Sequence, residues 1–208
     1  MISGEIRILA RTDGRMGRLL NGPIALLALS ATTWVHAQSW GLPELMQTLA
    51  QQKVAKATFT EKKFMAVMEQ PLESSGELSY VAPDKLEKRT INPRAETLVL
   101  EGDRLVMEMP GRRRNAVSLQ AHPEVAPFVE SIRGTMAGDL AALQKYYAVD
   151  FAGRADAWKL VLVPSQASMR KVMSRIRVEG THDALTLIVF EQADGDRSEM
   201  RIQPVKTP

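Results

Sequence analysis

No cysteine occurs among the 208 residues. That excludes a disulfide framework, a thiolate metal site, a cysteine nucleophile and an N-terminal cysteine for lipid attachment. Histidine is almost as scarce: His36, His122 and His182 are the whole set. His122, just before Pro123, reads as a helix-entry residue and His182 as part of a hairpin turn, and neither has a second ligand at usable spacing. There is no Gly-x-Ser-x-Gly elbow, no His-Glu-x-x-His pair and no glycine-rich phosphate loop. Asp194-Gly195-Asp196 lacks the remaining oxygens of a calcium loop and reads as a turn. A non-enzyme is expected, with no metal and no cofactor. Aromatics make up only 5% of the chain, and no apolar run has the length of a comfortable membrane span. What is present, 45% hydrophobic and 25% charged residues, fits a folded chain with a real core. The length allows one domain or two small ones.

Charge is distributed unevenly. The formal net charge of +3 hints at nucleic-acid binding. However, Arg7, Arg11, Arg15 and Arg18 all precede the apolar run Ile24-Ala25-Leu26-Leu27-Ala28-Leu29. Val35-His36-Ala37 then offers small residues where a signal peptidase reads. This is the order of a cleavable secretory signal, residues 1–37. Met16-Gly17-Arg18 would open a more ordinary signal than Met1 does. Four arginines and two acidic residues leave with the segment, so the rest of the chain is about neutral. A clustered basic footprint for nucleic acid is then missing, and that partner class falls away. A single soluble domain, residues 38–208, beyond the inner membrane is expected.

Within that domain, Leu42, Leu45, Met46, Leu49 and Ala50 fall on one helical face, a pattern that fades near Ala57. Pro43 and Glu44 suit the first turn. The period then changes to two, with Phe59, Glu61 and Lys63 facing opposite to Thr58, Thr60, Lys62 and Phe64. Short strands follow at 76–81, 86–91, 97–100 and 105–109, separated by tight turns that predict an antiparallel meander. Pro123 to Met136 places Val125, Phe128, Val129, Ile132 and Met136 at helical spacing. Gly138 stops this helix, and 139–143 begins a second short one. Strands resume at 146–151, 158–163, 172–179, 185–191 and 199–203. About ten strands and a few helices predict a mainly β (α+β) domain, a strongly curved antiparallel sheet forming a half or whole barrel, with helices over its open side.

Two further features stand out. Leu105, Met107 and Met109 alternate on one strand face, in a chain with eleven methionines. Such thioether side chains fill ordinary cores and also repack around variable apolar ligands such as acyl chains. Arg112-Arg113-Arg114 is the one compact basic run, read either as a solvated strand end or as a contact for anionic headgroups or an acidic partner.

Phe59-Thr60-Glu61-Lys62, Gly76-Glu77-Leu78-Ser79-Tyr80, Pro83-Asp84-Lys85-Leu86, Pro93 and Glu101-Gly102-Asp103-Arg104-Leu105 together resemble the LolA family, over Leu42 to about Gln203. The resemblance implies an incomplete antiparallel barrel (LolA/LolB-like) closed by helices. It implies a periplasmic monomer that carries acyl chains of lipidated cargo, a lipoprotein or lipid, from inner-membrane donor to outer-membrane acceptor proteins. The sister receptor, LolB, is a lipoprotein and needs a cysteine that is missing here. Where the family usually has an arginine that pins the helical lid, this chain has Ala82. The aromatics that commonly follow are replaced by Leu86-Glu87-Lys88, which points to a LolA-related branch with an open choice of cargo. Candidate acyl contacts are Leu78, Tyr80, Leu86, Leu98, Leu100, Leu105, Met107 and Met109 from the sheet. From the lid they are Phe128, Ile132, Met136 and Leu140. A one-residue slip in register would turn any strand's set outward. Two other readings stand beside the carrier: a lipid-sensing adaptor that regulates a membrane partner, and a structural module whose interior is simply filled.

Overall fold

Turn residues at short intervals and period-two patterning fold the chain into strands that follow one another across a single sheet. The computed structural model describes residues 40–205; the expected signal segment lies outside the described residues. The first half of the sheet comprises β1 (Val54–Phe64), β2 (Leu72–Val81), β3 (Lys85–Asn92), β4 (Glu96–Glu101), β5 (Arg104–Glu108) and β6 (Asn115–Ser118). The second half comprises β7 (Tyr147–Arg154), β8 (Ala157–Pro164), β9 (Met173–Thr181), β10 (Ala184–Gln192) and β11 (Arg197–Pro204). Their order is β6-β5-β4-β3-β2-β1-β11-β10-β9-β8-β7. Each neighbouring pair is antiparallel. Two meanders are thus joined through the β1–β11 pair. β6 and β7 remain as edges, so the curved sheet is an unclosed barrel.

Among the described residues, four helices accompany it: α1 (Leu42–Ala50), α2 (Ala126–Ala137), α3 (Leu140–Gln144) and α4 (Ala167–Arg170). α1 starts as expected, with proline in its first turn and the Glu44 carboxylate accepting from the Gly41 N–H at 2.9 Å. At the start of α3, Asp139 accepts from the Ala142 N–H at 2.9 Å. Between them, α2 ends at Gly138, whose φ is +65°. A Cβ there would lie 2.1 Å from the Met46 carbonyl oxygen, so glycine both turns the chain and lets α1 approach.

Helices and sheet share one core. Leu45, Met46 and Leu49 of α1, Met136 of α2 and Leu143 of α3 pack with Phe59, Tyr80, Leu160, Leu162, Ile176, Val178 and Ile202 of the sheet. Leu160, Leu162, Ile176 and Val178 are fully buried, each worth roughly 2 kcal/mol of transfer free energy.

Several boundaries differ from the sequence reading. α1 ends at Ala50 and β1 begins at Val54, because the apolar face of the helix is exhausted there. β2 starts at Leu72 rather than Gly76, since Glu73 and Ser75 give no apolar alternation. α2 starts at Ala126; the preceding segment forms successive turns, His122 N–H to Leu119 O and Val125 N–H to His122 O. β6 and α4 were not expected at all: each has four residues, too short for a period to show.

Candidate functional site

Register decides what the sheet presents to the helices. Directly paired residues share a face, and two rungs cross the β1–β6 arm. One runs Ala55–Tyr80–Leu86–Leu100–Leu105–Val117, the other Ala57–Leu78–Lys88–Leu98–Met107–Asn115. Tyr80 belongs to the core under the helices, with Leu78 and Leu86 packed against it, so both rungs lie on the concave face. Seven of the eight sheet candidates, Leu78, Tyr80, Leu86, Leu98, Leu100, Leu105 and Met107, are therefore brought onto one surface. Met109 is not: it follows the last residue of β5 and has no partner in the ladder.

The two arms of the sheet differ in how they are filled. Across β7–β11 the concave face is buried against α1 and α3. Across β3–β6, Leu86, Leu98 and Leu105 are only half-buried and Met107 is 37% exposed. Among the four lid candidates, Met136 is buried in the core, while Phe128, Ile132 and Leu140 are half-buried against it. The lid row and the outer part of the β1–β6 arm are thus both only partly covered.

α2 is fixed to both halves of the sheet. The Tyr147 hydroxyl, from edge strand β7, donates to the Pro127 carbonyl at 2.9 Å. On the opposite side, Arg133 Nη1 donates to the Gly102 carbonyl of the β4–β5 turn at 2.5 Å. Arg133 is also paired with Glu130 one turn earlier. The hydrogen bond to Glu130 and the carboxylates of Glu130, Asp84 and Asp103 raise its pKa, against the cost of partial burial, so it stays charged. Ala82, standing where the resemblance leads one to look for an arginine, instead packs against the core. The tie between helix and sheet here comes from the helix.

A polar cluster inside the concavity escaped the sequence reading. Glu61, 7% exposed, accepts from Lys88 Nζ at 2.5 Å, from the Ser198 hydroxyl at 2.5 Å and from the Ser74 hydroxyl at 3.4 Å. Lys88 Nζ also lies 4.9 Å from the centre of the Phe59 ring. Burial pushes the Glu61 carboxyl up. Lys88, the hydrogen bonds from Lys88 and Ser198, and the charge of Lys63 overcome this and hold it below the usual carboxylate range. Burial, and then the Asp84 carboxylate, push the Tyr80 phenol up, so this concave-face tyrosine stays neutral and donates to the Pro83 carbonyl at 3.2 Å. The signal for the cluster was present, in Glu61 sharing the face of Phe59 on β1 and Lys88 between Leu86 and Thr90 on β3. A charge on an apolar face calls for a partner.

A cleft of about 540 Å³ lies between the connection that follows β6 with the start of α2 and the connection between β8 and β9. Leu119, Pro127 and Phe128 form one wall; Tyr146, Met169 and Val172 face them. Of the twelve candidates only Phe128 lines it. The histidines take no part: His122 meets Glu124 at 3.1 Å, and His182 occupies the β9–β10 turn. Among the described residues, no helix is long and apolar enough to cross a membrane.

Solved structures with a similar course of chain include a LolA superfamily protein from Nitrosomonas europaea. It is 12% identical with a TM-score of 0.43, over 82% of this chain and 96% of that one. The MucA/MucB complex of Pseudomonas aeruginosa matches at 9% identity and a TM-score of 0.44, over 80% of this chain and 58% of that chain. An outer-membrane lipoprotein-sorting protein domain from Vibrio parahaemolyticus matches at 10% and 0.42, over 77% and 88%. No curated protein matches. The family model described as outer membrane lipoprotein carrier protein LolA-like spans residues 35–202, and the chain belongs to that family.

Proposed function

We propose that this protein is a periplasmic carrier that takes the acyl chains of a lipidated cargo onto the concave face of the β1–β6 arm beneath α2. The observation that supports this reading is the half-covered apolar strip. Leu86, Leu98, Leu105 and Met107 share one face with Leu78 and Tyr80, yet beside the buried Tyr80 and Leu100 they are left only partly covered. In a protein whose sole task was to be stable, that strip would be buried or polar. Phe128 belongs to both the lid row and the wall of the cleft, so the cleft adjoins the lid.

The energetics suit a shuttle. Each buried CH₂ is worth about 0.8 kcal/mol, so a sixteen-carbon chain is worth roughly 12 kcal/mol in a membrane. An aqueous carrier has to recover much of that without exceeding what the acceptor offers. Half-buried Leu and Met side chains under a helix held at two points provide a surface that can repack. The chain is exported by the 1–37 signal and released as one domain, 38–208. It acts on its cargo by binding alone, as a monomer between a donor and an acceptor membrane protein.

Protein purified after export should hold a stoichiometric acyl ligand in native mass spectrometry and take up a fluorescent fatty acid. Leu98→Asp with Met107→Asp should abolish uptake while the fold persists. A carrier then releases the ligand to acceptor vesicles, whereas a sensing adaptor would retain it. Absence of any acyl ligand and of any uptake would overturn the proposal.

A further inference from the structure

The antiparallel meander places the loops between β1 and β2 (65–71), β3 and β4 (93–95) and β5 and β6 (109–114) at one end of the same arm. Successive loops of this set are two strand spacings apart, about 10 Å. The first presents Val67, 87% exposed, and Met68, 42% exposed, at its tip. Ile91, at the entrance to the second, is 48% exposed. Arg94 occupies the second loop, and Arg112-Arg113-Arg114 the third. Arg114 is engaged by Glu108 at 2.7 Å. Arg94, Arg112 and Arg113 enter none of the ion pairs among the described residues, and the one acidic residue within the three loops is Glu69.

Neither half of this pattern would suffice alone. Single exposed apolar residues are ordinary, and a short basic run is most often a solvated face. Side by side, they match the two layers of a membrane surface: cations at the level of the phosphates, and short apolar side chains reaching the acyl boundary. An acidic protein surface would account for the arginines but gives Val67 and Met68 nothing to enter. We infer that this end of the arm is a docking tip for an anionic lipid bilayer, with Arg94, Arg112 and Arg113 bound to headgroups and Val67 and Met68 inserted at the interface. The tip also gives Met109, which lies outside the concave rungs, a place beside the membrane rather than in the acyl strip. The inference goes beyond the carrier reading and does not require it, since the loops are separate from the strip.

Protein purified after export is to be tested by flotation with phosphatidylcholine vesicles, with and without phosphatidylglycerol. Binding should favour the anionic vesicles and weaken with salt. At about fivefold per arginine near the surface, Arg94→Ser/Arg112→Ser/Arg113→Ser should lose roughly a hundredfold on anionic vesicles. Val67→Ser/Met68→Ser should weaken binding to both kinds, and a Val67→Trp reporter should be quenched by bromine-labelled acyl chains. All these side chains are exposed, so thermal melts should match the parent, and fatty-acid uptake should be unchanged. The inference is overturned by equal binding to neutral and anionic vesicles, by no binding to either, or by variants that bind like the parent. An arginine variant that loses an acidic protein partner while keeping vesicle binding would overturn it equally.

Discussion

Glu61 and Lys88 show how much a single pair can decide. Together they place a compensated charge within an otherwise apolar concavity, at a cost in desolvation that the ion pair and the Ser198 hydrogen bond offset. Removing one partner strands the other. Lys88→Met should lower unfolding free energy by about 2 kcal/mol, below the usual range for fully buried pairs because the lysine retains some solvent contact. Urea titration reads this directly. The folded-state pKa of Glu61 is depressed, so its contribution is complete above the ordinary carboxylate value of 4.5 and is lost as the pH falls through the folded pKa. Glu61→Gln should flatten that part of the acid-stability profile; an unchanged slope between the two proteins would show that the carboxylate is not held by its neighbours.

At the scale of elements, the informative unit is α2 with the contacts that hold it. Gly138 ends it in a left-handed conformation while its Cα hydrogen faces the Met46 carbonyl. Gly138→Ala would put a methyl carbon into that contact on top of the backbone strain, and a loss of about 2 kcal/mol in thermal or chemical unfolding is expected. Arg133 holds the opposite side of the helix to the β4–β5 turn. Arg133→Gln should cost about 1–2 kcal/mol globally. Its sharper effect should be on exchange: release of a bound acyl probe, followed by stopped flow, is expected to quicken severalfold. If release is unchanged, the helix does not gate the strip. Introducing Arg at Ala82 should leave release little altered, because Arg133 already ties α2 to the β4–β5 turn.

The element pattern was largely legible in the sequence. Period-two runs between Pro, Gly and Asp turns gave the strands their places, and Gly138 gave α2 its end. β6 and α4 are not legible because four residues show no period, and the start of β2 is hidden because Glu73 and Ser75 break the strand's apolar alternation. Which strand residues share a face depends on register, which local sequence does not contain; the ladder from Tyr80 to Leu105 aligns most of the candidates. Met109 continues the alternation of Leu105 and Met107 in sequence, but β5 ends at Glu108, ahead of the Pro110-Gly111 turn.

For the whole molecule, export is the property to verify first. Intact mass of the protein recovered from the periplasm should correspond to cleavage after Ala37, with Gln38 at the new N-terminus. A retained segment would leave the domain tethered and count against a shuttle. With that segment removed, the net charge is close to zero, and the remaining positive charge matters by position rather than amount. Arg94, Arg112 and Arg113 gather at one end of one arm, a clustering that the overall count does not reveal.

By itself, the sequence determined which residue types are missing, cysteine above all, and most of the succession of strands and helices, because composition and local periodicity act within a few residues. It also determined the family, through turn residues and short runs spread along the chain. Only the tertiary structure decided which charges meet. In register, Lys88 aligns with Ala57, four residues from Glu61 along β1 and two strands away, about 13 Å along and roughly 10 Å across a flat sheet. A lysine could not span that gap. Twist and curvature make side chains converge on the concave face, and this bending brings Lys88 to Glu61.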